Sequence, residues 1–323
     1  MVSDNNTVRN EGKAALLDGA LLAEEIKQEV SREVAAMRQK HGVAPCLAAI
    51  QVGDDPASAV YVRNKIRACE AVGISSEHYP LPTQTSSGEL LELVASLNSR
   101  AEIDGILVQV PLPSHIQEAS VVEAVDPAKD VDGFHPVNVG KLAMGRPGFV
   151  PCTPAGIIEL LDRFKIQISG ANACVIGRSQ IVGRPVAQLL LQRDATVTIC
   201  HSKTADLPSV SRQADILVVA IGRAGFVGRE YIKPGATVID VGMNKVTEVE
   251  AIRRLFGSEG AESERRLQIL GKRGYTLVGD VNPAEAVEVA GHLTPVPGGV
   301  GLLTVALLMR NTLRAAQLRR ALD

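Results

Sequence analysis

The sequence predicts an α/β chain of two domains, and three observations predict it. Apolar strand patterns and amphipathic helix patterns alternate from Leu47 to Val110, the order expected of a parallel sheet covered by helices in three layers. A second series begins at the apolar run Ala173–Ile176, followed by a glycine-bearing turn from Gly177 to Gly183 and a helix through Leu191. Glycines there permit a tight turn, and the helix N-terminus offers N–H groups to a phosphate, which is the logic of a Rossmann-like dinucleotide-binding domain. Finally, 323 residues with 46% hydrophobic content suffice to bury two cores.

Composition narrows the function classes. A net charge of −2 gives no electrostatic reason to expect nucleic acid or an anionic membrane as partner. The five cysteines, Cys46, Cys69, Cys152, Cys174 and Cys200, form no C-x-x-C pair and sit mostly in apolar runs. They read as reduced core thiols of a cytoplasmic protein. The six histidines show no metal-ligand spacing, so no metal is expected. The N-terminus, with Asp4 and Glu11 and no apolar block, reads as neither a signal nor a transit peptide. Leu302 to Met309, the longest apolar stretch, is too short to span a bilayer.

Taken in order, residues 1–14 are polar and read as frayed. Asp18 then caps a helix whose apolar residues Leu22, Ile26, Val30, Val34 and Met37 recur at helical spacing until Gly42. A strand is expected at Leu47–Val52, and the turn Gly53, Asp54, Asp55, Pro56 opens a helix that Gly73 closes. A strand near Ser76–Tyr79, a helix from Ser87 to Asn98 and a strand at Gly105–Val110 complete the first series. Thr153 is expected to cap a helix beginning at Pro154. Beyond the Gly177 turn, strands are expected at Thr196–Cys200, Asp215–Ile221 and Thr237–Asp240, with Gly222, Gly225 and Gly242 in ligand-lining loops. Residues 245–274, charged of both signs with short amphipathic pieces at Ile252–Phe256 and Leu267–Leu270, read as a solvated insertion. The sheet is expected to resume at Leu277–Asp280, and the segment Thr294–Gly301 leads into a terminal helix Leu302–Leu318.

Chemistry-bearing residues concentrate in a few places. Ser58, Tyr61 and Lys65 share one register of a helix. Tyr61 and Lys65 are i and i+4 neighbours, so a phenol and an amine can share a proton site. A lysine acts as a base near neutral pH only if burial or a neighbour lowers its pKa. The alternative, Tyr61 on an apolar face with Lys65 snorkelling outward, is the commoner arrangement for such a pair. Gln109 stands at a strand exit before Pro111 and Pro113, either as a satisfied polar residue or with its amide aimed at Lys65 or a substrate. Asp132, in the run Lys129–Phe134, is either turn chemistry or a carboxylate able to accept two parallel hydrogen bonds from an amidine-like edge such as that of a pterin. Pro297, Gly298 and Gly299 offer bare backbone to a flat ring.

The nucleotide turn departs from G-x-G-x-x-G, because Ser179 stands between Gly177 and Gly183 where the second glycine is usual. The strand ending at Cys200 decides between cofactors. Where an NAD-type fold places an acid on the ribose, this chain has His201, Ser202, Lys203 and Thr204. Hydroxyls and a cation, with Arg178 as a second positive partner, suit a 2′-phosphate, so NADP is expected.

Together, the motifs built on Ser58, Tyr61 and Lys65, on Gln109–Pro113, Lys129–Phe134, Pro151–Pro154, Gly177–Pro185, His201–Thr204 and Thr294–Gly301 resemble, in order, the bifunctional methylenetetrahydrofolate dehydrogenase/methenyltetrahydrofolate cyclohydrolase family. The resemblance implies a folate-binding catalytic domain at 15–150 plus 302–323, an NADP domain at 151–301 with a cleft between them, tetrahydrofolate derivatives as ligands, and a homodimer. It implies that Lys65 is the central catalytic residue, that Tyr61 orients the folate, that Gln109 tunes the lysine and that Asp132 anchors the pterin. The chain departs from the family at Leu302 and Leu303, where Pro-Met is usual, and in the insertion. Three alternatives stand beside this reading: an NADP-dependent dehydrogenase without cyclohydrolase activity, a non-catalytic nucleotide-binding regulator, and a short-chain dehydrogenase. In the last, the nucleotide turn precedes the Tyr-x-x-x-Lys pair, the reverse of the order of Tyr61 and Gly177 here.

Overall fold

The computed structural model describes residues 13–322, so the reading of the polar N-terminal stretch, including Asp4 and Glu11, lies outside the described residues up to position 12. The chain opens with β1 (Ala15–Leu16) and α1 (Gly19–His41). The Asp18 carboxylate accepts from the Ala20 N–H at 2.8 Å, satisfying an orphan donor of the first turn. The five apolar residues at helical spacing, Leu22 to Met37, are all buried. Next come β2 (Cys46–Val52), α2 (Pro56–Val72), β3 (Ser75–Leu81), α3 (Ser87–Ser99) and β4 (Gly105–Val108). The strands form a parallel sheet in the order β3-β2-β4, and β2, the central strand, is buried along its whole length. Asp55 caps α2, Pro56 pre-sets its first turn, and Gly73 ends it in the left-handed conformation. The strand expected to reach Val110 stops at Val108, although the Gln109 N–H still bonds to the Ile50 carbonyl at 2.9 Å.

α4 (Glu118–Ala124), α5 (Pro136–Ala143) and α6 (Cys152–Arg163) follow. α6 starts before the expected Thr153 cap, at Cys152. Pro154 is tolerated inside it because the first-turn N–H groups have no intrahelical acceptor to lose.

The remaining elements are β5 (Asn172–Ile176), α7 (Gly183–Gln192), β6 (Thr196–Cys200), α8 (Leu207–Ser211), β7 (Ile216–Val219), β8 (Thr237–Asp240), β9 (Asn244–Val246), α9 (Val249–Phe256), α10 (Ala261–Arg273), β10 (Thr276–Val278), α11 (Pro283–Ala286), β11 (His292–Leu293) and α12 (Val300–Arg319). Six strands make a second, all-parallel sheet in the order β1-β11-β8-β7-β5-β6. Its core includes Ile176, Leu217, Val219, Val238 and Leu293.

Two compact units divide the chain: Ala23–Cys152 with Thr304–Asp323, and the segment through Leu22 with Thr153–Leu303. Ala15 and Leu16 were expected at the start of the folate-binding domain. Instead Ala15 and Leu16 pair with His292 and Leu293, which makes β1 the edge of the six-stranded sheet.

The 245–274 segment also differs from the expectation of a solvated insertion. β9 and β10 pair antiparallel as a separate ribbon, so the run at Leu277 does not resume the parallel sheet. Val246, Ile252, Leu255 and Val278 form a small core of their own, with Phe256, Leu267 and Leu270 packed against it. The segment is a folded lobe rather than a solvated spacer. At the other end, α12 begins at Val300 without a helix-starting proline. Leu303 is fully buried, and a Cβ on Gly156 of α6 would lie 2.8 Å from the Leu303 Cβ.

Candidate active site and nucleotide site

In the first unit, α2 carries Ser58, Tyr61 and Lys65. Ser58 is buried, its N–H donating at 2.7 Å to the Asp55 cap, while Tyr61 is 45% exposed. Lys65 is half-buried and does not run outward: its Nζ donates to Gln109 Oε1 at 3.1 Å. The Gln109 Nε2 in turn donates to the Val110 carbonyl at 2.6 Å, which fixes the plane of the amide and aims its oxygen at the lysine. Of the two readings of Gln109, the amide turned to Lys65 is the one observed.

The Lys129–Phe134 run sorts its charges by task. Lys129 is buried and donates to the Leu97, Asn98 and Arg100 carbonyls, ending α3. Burial holds its pKa below the usual lysine range. Asp130 is the turn carboxylate, accepting from the Phe134 and His135 N–H groups and from Asn138 Nδ2. Asp132 accepts no hydrogen bond among the described residues. Burial pushes its carboxyl up to about 6, with Lys65 pulling down and Asp130 pushing up. Lys65, Gln109 and Asp132 are thus brought into one electrostatic neighbourhood.

One residue that holds this loop carried little sequence signal. Asn311 of α12 donates from Nδ2 to the Val131 carbonyl at 2.8 Å and the Val150 carbonyl at 3.2 Å. A lone amide inside an apolar helical run was its only mark.

In the second unit, chain order and sheet order reverse beside β5, with β6 on one side and β7 on the other. Open parallel sheets take ligands beyond the strand ends at such a switch point. A Cβ on Gly177 would lie 2.2 Å from the Ala220 carbonyl oxygen, and one on Gly183 would lie 2.2 Å from that of Gly177. Both glycines are therefore required for close approach of strand end, loop and helix. Ser179 closes the turn before α7: its hydroxyl accepts from the Val182 and Gly183 N–H groups at 3.2 and 3.3 Å. Those two donors, expected for phosphate, are already engaged.

His201–Thr204 is a tight turn, with the His201 N–H on Thr204 Oγ1 at 2.9 Å, and it leaves Ser202 and Lys203 exposed at the end of β6. Arg178 is exposed as well. The nearest following carboxylate, Asp206, caps α8 through the Ser209 N–H. Hydroxyl and cationic groups without a competing acid, beside a cradle that a Cβ would fill, fit a nucleotide bearing a 2′-phosphate.

Gly222 is positioned by a residue not singled out from sequence. Asp280 accepts from the Ile221, Gly222 and Arg223 N–H groups and from Asn244 Nδ2. Gly225 and Gly242 pack closely against Leu255 and Asp280 respectively. Pro297, Gly298 and Gly299 fall in this second unit, not with Lys65.

Comparison with known proteins agrees with these features. The catalytic domain of tetrahydrofolate dehydrogenase/cyclohydrolase matches residues 17–132, and the NAD(P)-binding domain of the same family matches residues 151–320. The bifunctional protein FolD of Koribacter versatilis is 55% identical over 95% of this chain and 98% of its own. The FolD dehydrogenase/cyclohydrolase structure from Campylobacter jejuni is 42% identical with a TM-score of 0.84, covering 94% of this chain and 99% of the other. The Trypanosoma brucei enzyme, solved with NADP cofactor and inhibitor, is 38% identical with a TM-score of 0.85, over 96% and 99%. On both halves of its length, the chain belongs to the tetrahydrofolate dehydrogenase/cyclohydrolase family.

Proposed function

We propose that the chain oxidises 5,10-methylenetetrahydrofolate to the 5,10-methenyl form with NADP and hydrolyses that product to 10-formyltetrahydrofolate, with Lys65 central to the second step. The observation that carries the assignment of Lys65 is its hydrogen bond to Gln109, 3.1 Å long, beside the unpaired carboxylate of Asp132. Family membership across both halves supports the two activities.

NADP supplies the hydride acceptor when bound; Gly177, Gly183 and Gly222 would leave room for its backbone-hugging phosphates, and Arg178, Ser202 and Lys203 would receive the 2′-phosphate. Removing hydride from the carbon between N5 and N10 leaves a cation that both nitrogens stabilise. The chain's contribution to that step is therefore positioning. Asp132 would hold the pterin through two parallel hydrogen bonds, with Ser58 and Tyr61 of the same unit as further substrate contacts, and Pro297, Gly298 and Gly299 would offer the substrate bare backbone. Hydrolysis needs more: a water proton must leave as oxygen bonds to the methenyl carbon, and a proton must reach N5 as its bond to that carbon breaks. Lys65 would take the first proton and deliver the second, with Gln109 keeping its amine in place and Tyr61 orienting the substrate.

Lys65→Met tests the division of labour. The cyclohydrolase, followed by loss of the methenyl chromophore, is expected to vanish while NADPH formation stays measurable. Equal and total loss of both in a folded variant overturns it. A homodimer rests on the family resemblance alone, and a cytoplasmic setting on five buried cysteines that are all free thiols.

A further inference from the structure

The lobe formed by β9, α9, α10 and β10 reaches the Thr294–Gly299 segment through one side chain. Arg266 of α10 is 7% exposed. Its Nε donates to Glu262 at 2.6 Å, its Nη1 to the Leu277 carbonyl, and its Nη2 to the Val296 carbonyl at 2.8 Å, while its guanidinium carbon lies 4.6 Å from the centroid of the Phe256 ring. Glu262, Leu277 and Phe256 belong to the lobe; Val296 does not. A planar fork held within the lobe by two hydrogen bonds and stacked on a ring has little freedom left, so its fourth contact holds the Val296 carbonyl in place. The following residues have little of their own to hold them. Gly298 takes φ 114, a conformation open to glycine, and the segment is otherwise pinned by Thr294 on Asp240 and by close approach of Gly299 to Gly19.

We propose that Arg266 is a positioning residue: it fixes the Val296 carbonyl, and with it the backbone of Pro297, Gly298 and Gly299 that receives the folate ring. The proposal rests on the reading of that segment as substrate-binding, and it assigns the effect to the guanidinium rather than to the packing of the lobe core.

Arg266→Gln and Arg266→Lys are compared with Ile252→Ala, which hollows the lobe core but keeps the guanidinium, and with Gly298→Ala, which perturbs the segment directly. Arg266→Gln is expected to raise the KM for methylenetetrahydrofolate about tenfold, the worth of one buried charge-assisted hydrogen bond, with NADP affinity changed less than about twofold. Arg266→Lys should recover part of the loss, since an ammonium can serve one carbonyl. Amide hydrogen exchange at residues 297–299 should quicken in the Arg266 variants and not in Ile252→Ala. The proposal is overturned if Ile252→Ala raises the folate KM as much as Arg266→Gln, because lobe integrity alone then suffices. It is overturned equally if Arg266→Gln leaves that KM unchanged while Gly298→Ala raises it. An unchanged KM in Gly298→Ala overturns the substrate role of the segment itself, and the proposal with it.

Discussion

Asp132→Asn is expected to stabilise the protein in mildly alkaline buffer while weakening folate binding. Burial raises the Asp132 carboxyl from its ordinary 3.8 to about 6. Between those values the native chain keeps a proton that the unfolded chain has released. Stability therefore falls as pH rises through that interval, and the deficit is complete above about pH 6. At about 1.4 kcal/mol per pH unit, the interval amounts to about 3 kcal/mol. Asparagine has the shape and neutrality of the protonated acid, so it should recover most of that deficit at about pH 8 and almost none at about pH 4. The same change replaces one acceptor oxygen by a donor facing an amidine-like edge, and folate affinity should fall by about tenfold or more. Urea unfolding of both proteins at the two pH values measures the first effect, and the comparison cancels every other titrating group. A stability difference that is the same at both values refutes the reasoning.

Two further outcomes follow from packing. Asp104, fully buried, accepts from Arg319 at 2.9 Å, from Arg320 at 2.6 Å and from the Cys46 N–H at 3.0 Å. Asp104→Ala should therefore lower the unfolding free energy by about 3 kcal/mol in urea titrations, the low end for a broken buried pair because both arginines can regain water. Gly183→Ala sets a methyl 2.2 Å from the Gly177 carbonyl oxygen, and displacing that backbone should reduce NADP affinity by about tenfold or more in a fluorescence titration, with folate binding unchanged.

What was legible in the sequence was local. The limits of α2 follow from Asp55, Pro56 and Gly73, and the nucleotide turn from Gly177 and Gly183, because caps and tight turns are written in neighbouring residues. What was not legible depended on distant partners. Two residues, Ala15 and Leu16, carry no period at all, yet they pair across to His292 and Leu293. Leu277 sits in a run that reads like a parallel strand, and only its pairing with Lys245 shows that it belongs to a ribbon. The 245–274 lobe looked solvated because its core is dispersed among charges and one of its binding groups, Arg266, is itself charged. Within the site, helical spacing put Tyr61 and Lys65 on one face, but only the fold brings Gln109, more than forty residues on, to the lysine.

The aspartates of these loops separate by where their hydrogen bonds go. Asp130 satisfies two backbone N–H groups and Asn138, Asp240 those of Gly242, Asp280 and Val281, and Asp280 those of Ile221, Gly222 and Arg223. Such carboxylates tie loop to strand, and burial still pushes Asp240 up to about 7 against three favourable donors. Asp132, half-buried, is also pushed up, and among the described residues no donor meets it, only the field of Lys65. A half-buried carboxylate whose charge is disfavoured by its surroundings works against folding. Two parallel N–H groups presented edge-on, such as the 2-amino and N3–H positions of a pterin, would supply the donors it lacks. The destabilising placement of Asp132 and its proposed role in holding folate therefore have one physical cause.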